Sequence, residues 1–162
     1  MSASASFAGW MAIAALRNGL ARHTLSRRKE SPPHGSDRQP RTGFQRNPDK
    51  IITVEPYAGT VTVRVGDVVI ASTTKAKVLT EAPYPAAFYI PFADIDFGKL
   101  GRTDHSTHCP YKGDASYWSV LPAGETGQNA MWAYERPFDE MAEIRNHGAF
   151  YASKVTIEAK PD

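Results

Sequence analysis

Beyond residue 50, polar and apolar residues alternate at the spacing of two that half-buried strands require. The folded part is expected to start near Ile51. Thr60–Val65 alternates strictly, with Val61, Val63 and Val65 on one face. Gly66-Asp67 then closes a hairpin, and Val68–Ala71 returns. Thr74–Thr80 is a further strand, and Ala86–Ile90 is a short apolar run between Pro85 and Pro91. Ser116–Leu121 and Asn129–Tyr134 combine aromatic and small residues and read as buried strands. Tyr151–Ala159 alternates again, with Val155 and Ile157 inward.

One stretch breaks this period. Pro137 opens a helix, and Asp139 and Glu140 sit where the positive end of the helix dipole favours acids. Phe138, Met141 and Ile144 share a face, and Gly148 is placed as a C-cap residue. About eight short strands and one late helix predict a mainly β domain with antiparallel pairing. Its form is a compact barrel or two packed sheets with one short C-terminal helix.

The first fifty residues follow neither period. Phe7–Leu16 is apolar but spans only ten residues, about half a membrane span, and no Lys or Arg precedes it. Residues 1–29 hold five basic residues and no acid, as in an amphipathic organellar presequence; the plainer reading is an extension with no folded role. Residues 30–50 gather four prolines and two glycines among polar residues and read as a linker. The expected organisation is a disordered or weakly helical basic extension and linker over 1–50, then a single β-rich domain over 51–159.

The formal charge of +2 hides this division. Residues 1–50 carry nine Lys/Arg against three acids, whereas residues 51–162 carry ten against fourteen. The folded part is acidic, so no nucleic-acid or membrane partner is expected for it. Cys109 is the single cysteine, which excludes an intramolecular disulfide. A reducing compartment follows most simply: the cytoplasm, or an organellar matrix if residues 1–29 act as a presequence. Open sheet edges invite pairing with a second copy, so a homodimer is the expected assembly.

Arg102–Asp114 stands apart. It packs Arg102, Asp104, His105, His108, Cys109 and Lys112 into eleven positions, which a core strand cannot absorb without partners for each. Pro110 biases Cys109 to an extended backbone, and Gly113 permits a turn or a close approach. Three chemistries fit. Asp104, His105, His108 and Cys109 are capable metal ligands, but their spacing matches no zinc pattern, and no metal site is expected. On a regular strand His105 and Cys109 point one way and His108 the other, so convergence needs a loop or bulge. Cys109 beside an imidazole oriented by Asp104 could serve as a nucleophile, and His105 or His108 could act as general acid or base. Arg102 and Lys112 could hold an anion against a wall of Trp118, Trp132 and Tyr134. No phosphate-binding glycine loop is present. Asp94-Ile-Asp96 has the carboxylate spacing of some nucleotide transferases, but two acids on an edge strand usually face solvent.

The run Thr103-Asp-His-Ser-Thr-His-Cys-Pro-Tyr-Lys-Gly-Asp-Ala-Ser-Tyr-Trp-Ser119 closely resembles the signature of a mainly bacterial family, the domain of unknown function numbered four hundred and twenty-seven. Asn129–Tyr134, the helix before Ala149-Phe-Tyr151 and the opening hairpin fit it too, so the resemblance covers roughly residues 51–159. It implies a compact, mostly β domain. It brings no established reaction, although the family is sometimes called nucleotidyltransferase-like, and it leaves the cofactor unknown. Its motif falls on Asp104, His105, Thr107, His108, Cys109, Pro110, Lys112, Gly113, Tyr117, Trp132 and Tyr134.

The leading expectation is therefore a polar pocket for a small anionic or nucleotide-like ligand, bound by Arg102, Thr107, Lys112, Gly113, Tyr117, Trp132 and Tyr134. The alternatives are an acid/base enzyme using Asp104, His105, His108 and Cys109, or an interaction module with no ligand.

Overall fold

Alternation along the chain becomes two antiparallel sheets in the computed structural model, which describes residues 41–162. The presequence-like stretch and the linker up to residue 40 lie outside the described residues. Ten strands follow in chain order: β1 (Thr53–Pro56), β2 (Gly59–Val65), β3 (Val68–Thr73), β4 (Lys77–Thr80) and β5 (Ala87–Pro91). After them come β6 (Leu100–Cys109), β7 (Gly113–Val120), β8 (Met131–Ala133), β9 (His147–Phe150) and β10 (Thr156–Pro161). The small sheet has the order β10-β2-β3, and the large one β1-β4-β5-β9-β8-β7-β6. β1 and β6 are its two edges, so the strands form packed sheets rather than a closed barrel.

Packing follows from side-chain parity. Val61, Val63 and Ile70 of the small sheet meet Trp118, Val120, Met131 and Phe150 of the large sheet in one buried core. The opposite face of the large sheet carries Leu79, Tyr89, Ala115, Tyr117 and Ala149, joined by Tyr134, Met141 and Ile144 in a second cluster. Neighbouring residues Tyr117 and Trp118 therefore enter different cores, as alternation along β7 demands.

The expected late helix is replaced by six residues of 3-10 turn, Asp139–Ile144, interrupted at Met141 (φ −119°, ψ 23°). Phe138, Met141 and Ile144 are spaced by three, which is the 3-10 repeat rather than the α repeat. Six residues are also few to nucleate an α-helix. Gly148 is no C-cap; it lies within β9, where a Cβ would come within 3.0 Å of the Met131 Sδ. Asn146, at φ 59°, makes the turn instead. β1, β6 and β9 were not foreseen. β1 and β6 are exposed edges without strong alternation, and β9 is four residues long.

Residues 41–50, which composition assigns to the linker, carry a one-turn helix, α1 (Gly43–Arg46). Thr42 and Gln45 close a capping box around it. The Gly43 N–H donates to the Pro110 carbonyl at 2.6 Å. Gly43 lies under the Tyr111 ring, where a Cβ would fall 2.6 Å from a ring carbon. Only glycine allows this contact.

Parity on β3 is testable. Ile70 is fully buried and Val69 is 42% exposed. Ile70→Ala should cost about 2–5 kcal/mol of unfolding free energy, and Val69→Ala no more than about 0.5 kcal/mol, both read by urea denaturation.

Candidate functional site

The second face of the large sheet is hollow along part of its length. A cavity of about 780 Å³ opens there, within the range of small-molecule sites. Ala86 and Ala87 from the start of β5 leave room on one side. Thr107 and Cys109 of β6, Tyr117 of β7 and Trp132 of β8 bound the other. Five of the seven tyrosines border it: Tyr84, Tyr89, Tyr117, Tyr134 and Tyr151. Its wall is thus apolar ring surface carrying hydroxyl groups.

Those hydroxyls are mostly engaged. Trp132 Nε1 donates to the Tyr89 hydroxyl at 3.2 Å, and the Thr107 and Tyr117 hydroxyls share a 2.8 Å hydrogen bond. Tyr134 is only 7% exposed as a residue, but its hydroxyl, which has no hydrogen-bond partner among the described residues, is not a buried atom and stays accessible. Burial pushes the phenols of Tyr89 and Tyr134 far above their ordinary range, so both remain neutral donors. Burial, reinforced by a hydrogen bond with Tyr117, raises Tyr151 to about 12.

One end of the cavity is charged. The β6–β7 hairpin turns through Pro110, Tyr111 and Lys112, with Gly113 at φ 109° completing the reversal. Lys112 is 7% exposed, and its Nζ donates to Glu81 Oε2 in the connection between β4 and β5. Lys50, just past α1, reaches the other Glu81 oxygen at 3.1 Å and also donates to the Ala82 carbonyl. Desolvation opposes ionisation of Glu81, but the hydrogen bonds and charges of Lys112 and Lys50 outweigh it and hold the carboxyl below its ordinary range. Two ammonium groups share one carboxylate, leaving one net positive charge in the cluster, of which Lys112 and Glu81 border the cavity and Lys50 stands behind them.

The residues singled out by sequence divide between the two faces. Thr107, Cys109, Lys112, Tyr117, Trp132 and Tyr134 border the cavity together. His108 borders it too, with its Nδ1 engaged by Asp114 at 2.6 Å. His105 meets the Tyr117 ring edge-on at a centroid distance of 4.4 Å but does not line the cavity. Asp104 is exposed and orients neither imidazole; Asp114 takes that place for His108. Arg102 is held by Glu135 at 2.8 Å and lies 5.0 Å over the Trp118 ring, away from the cavity. Gly113 shapes the turn but does not line the cavity. The irregularity between Arg102 and Ser106 does not bring the histidines together. Among the described residues no three His, Cys, Asp or Glu side chains are placed to hold a metal ion.

Asp94 and Asp96 sit at short 3-10 turns rather than on an edge strand. Asp94 accepts from Thr73 at 2.6 Å, and Asp96 caps Gly98 and pairs with Lys99. Sequence reasoning missed Glu81, Lys50 and Tyr89. Glu81 carries no local signal, because its partners lie 31 residues away in both directions.

Because Glu81 ionises more readily when folded, it adds stability above its unfolded pKa, and that contribution is lost as pH falls through the folded one. Glu135 acts in the same direction, chiefly through its hydrogen bond with Arg102. Urea titrations should show the protein losing stability from about pH 5 to about pH 3. Glu81→Gln should flatten that loss without abolishing it.

No curated protein matches the chain. No helix among the described residues is long and apolar enough to cross a membrane. The family model described as Domain of unknown function (DUF427) matches residues 53–161, which take in both sheets, the hairpin bearing Lys112 and most of the cavity wall. The chain belongs to this DUF427 family.

Proposed function

We propose that this domain binds a small organic anion in the cavity of the large sheet. The observation that carries the reading is the buried Lys112 ammonium at the cavity's end, in a cluster with one positive charge to spare. Desolvated cations attract anionic groups more strongly than surface lysines do, because little water screens them. Aromatic walls supply the apolar burial that a small ligand needs. Support for the acid/base alternative is weaker. His105 does not line the cavity, and His108, which does, has its Nδ1 engaged by Asp114; neither makes a hydrogen bond with the Cys109 thiol among the described residues.

The reading is tested by thermal denaturation of the full chain with benzoate, succinate, adenosine monophosphate and divalent metals. A ligand at a hundred times its Kd stabilises by about 2.7 kcal/mol. At least one organic anion should raise the melting temperature. Lys112→Met, which leaves Glu81 paired with Lys50 and no net charge at this end, should remove that rise. His108→Asn should leave it intact. A flat response to every anion, or a rise that survives Lys112→Met, contradicts the proposal and favours an interaction module.

A further inference from the structure

Building on the anion-binding reading, we infer that the cavity selects flat aromatic monocarboxylates over phosphates. Three features converge on this chemistry: the charge at the polar end, the free donors around it, and the shape of the walls.

The charge comes first. Lys50 and Lys112 surround the single carboxylate of Glu81, so one positive charge is uncompensated. A carboxylate monoanion balances it. A phosphate monoester dianion would carry one negative charge too many into an end with little water, at a large desolvation cost. Nothing else bordering the cavity makes up that difference. No arginine lines it, and the Arg102 guanidinium is spent on Glu135. No glycine-rich loop presents a row of backbone N–H groups there, and the α-helix nearby has only four residues.

The donors come second. An ammonium has three N–H groups, and Lys112 Nζ uses one on Glu81. Tyr134, nine-tenths buried and bordering the same cavity, holds a neutral hydroxyl without a partner among the described residues. A hydroxyl that is accessible and bonded to nothing in the protein is free to donate to an acceptor on a ligand. Two donors of this kind match the two oxygens of one carboxylate.

The walls come third. Trp132 packs against Tyr151 at a centroid distance of 4.5 Å and edge-on to Tyr89 at 6.4 Å. Tyr84, 66% exposed, stands at the opening. Ring faces and edges in this arrangement favour a flat aromatic body over a flexible chain.

The test titrates the full chain by calorimetry with naphthoate, naphthyl phosphate and naphthalenemethanol at about pH 7.5, where the phosphate monoester is a dianion. Naphthoate should bind about tenfold tighter than either of the others. Tyr134→Phe should weaken naphthoate about fivefold or more while leaving the melting temperature of the unliganded chain within a degree or so, since its hydroxyl bonds nothing in the fold. Phosphate binding as tight as carboxylate binding overturns the inference and leaves the anion reading standing. So does a failure of naphthoate while succinate or adenosine monophosphate raises the melting temperature. Equal binding of the neutral alcohol, or no binding by any anion, overturns both. Unchanged naphthoate affinity in Tyr134→Phe overturns the assigned role of the hydroxyl and, with it, the two-donor basis for selecting a carboxylate.

Discussion

Glu81 is a carboxylate withdrawn from water, and a buried carboxylate demands cationic partners. It draws them from two distant segments: Lys112 at the tip of the β6–β7 hairpin, and Lys50 just beyond α1. Removing either lysine alone would leave the carboxylate a single cationic partner and the corner without net charge. This constraint ties the hairpin, the β4–β5 connection and residues 41–50 into one corner of the domain. Gly43 against Tyr111 and its N–H bond to Pro110 brace the same corner from the other side. Because three segments are held by one carboxylate with two counter-charges, the corner keeps a net positive charge that the fold itself does not neutralise.

The large sheet turns that corner into one end of a chamber. One of its faces is filled by the small sheet, whose valines and Ile70 interdigitate with Trp118, Val120 and Met131. The other face has no second sheet. Short 3-10 turns bring Met141 and Ile144 over part of it, and beside them lies the aromatic hollow, which reaches past the sheet to Phe88, Phe150 and Ile157 at the margin of the first core. Burying both faces of β7 requires a large side chain at two successive positions, Tyr117 and Trp118. One serves packing between the sheets and the other lines the cavity. The same strand thus couples stability to the site.

Alternation made most strands legible, because Val61, Val63 and the Gly66-Asp67 turn obey rules that are local in the chain. The unusual density of polar groups between Arg102 and Asp114 marked the hairpin from which Thr107, His108, Cys109 and Lys112 border the cavity. What it could not show was which side chains share a face. Strand parity sends Thr107 and Cys109 toward the cavity and His108 toward Asp114, so a segment that looks like one cluster is divided by the sheet. Arg102 looked like an anion ligand because Glu135, its actual partner, is 33 residues distant. Phe138, Met141 and Ile144 looked α-helical because a spacing of three is common to both helical repeats, and only segment length separates them. Glu81 and Lys50 were invisible for a different reason. A charge pair made by tertiary folding has no period and no motif, and residues 41–50 carried the composition of a linker.

The account rests on Glu81 being ionised between its two lysines, and carbon-13 NMR of its side-chain carboxyl measures that directly. Followed across pH in the full chain, the Glu81 resonance should titrate below the ordinary value of 4.5, and the midpoint should rise when Lys112 is replaced by Met. A midpoint at or above 4.5 in the unaltered protein would contradict it: the corner would then hold a neutral acid, and the charge arrangement assigned to the cavity would not exist.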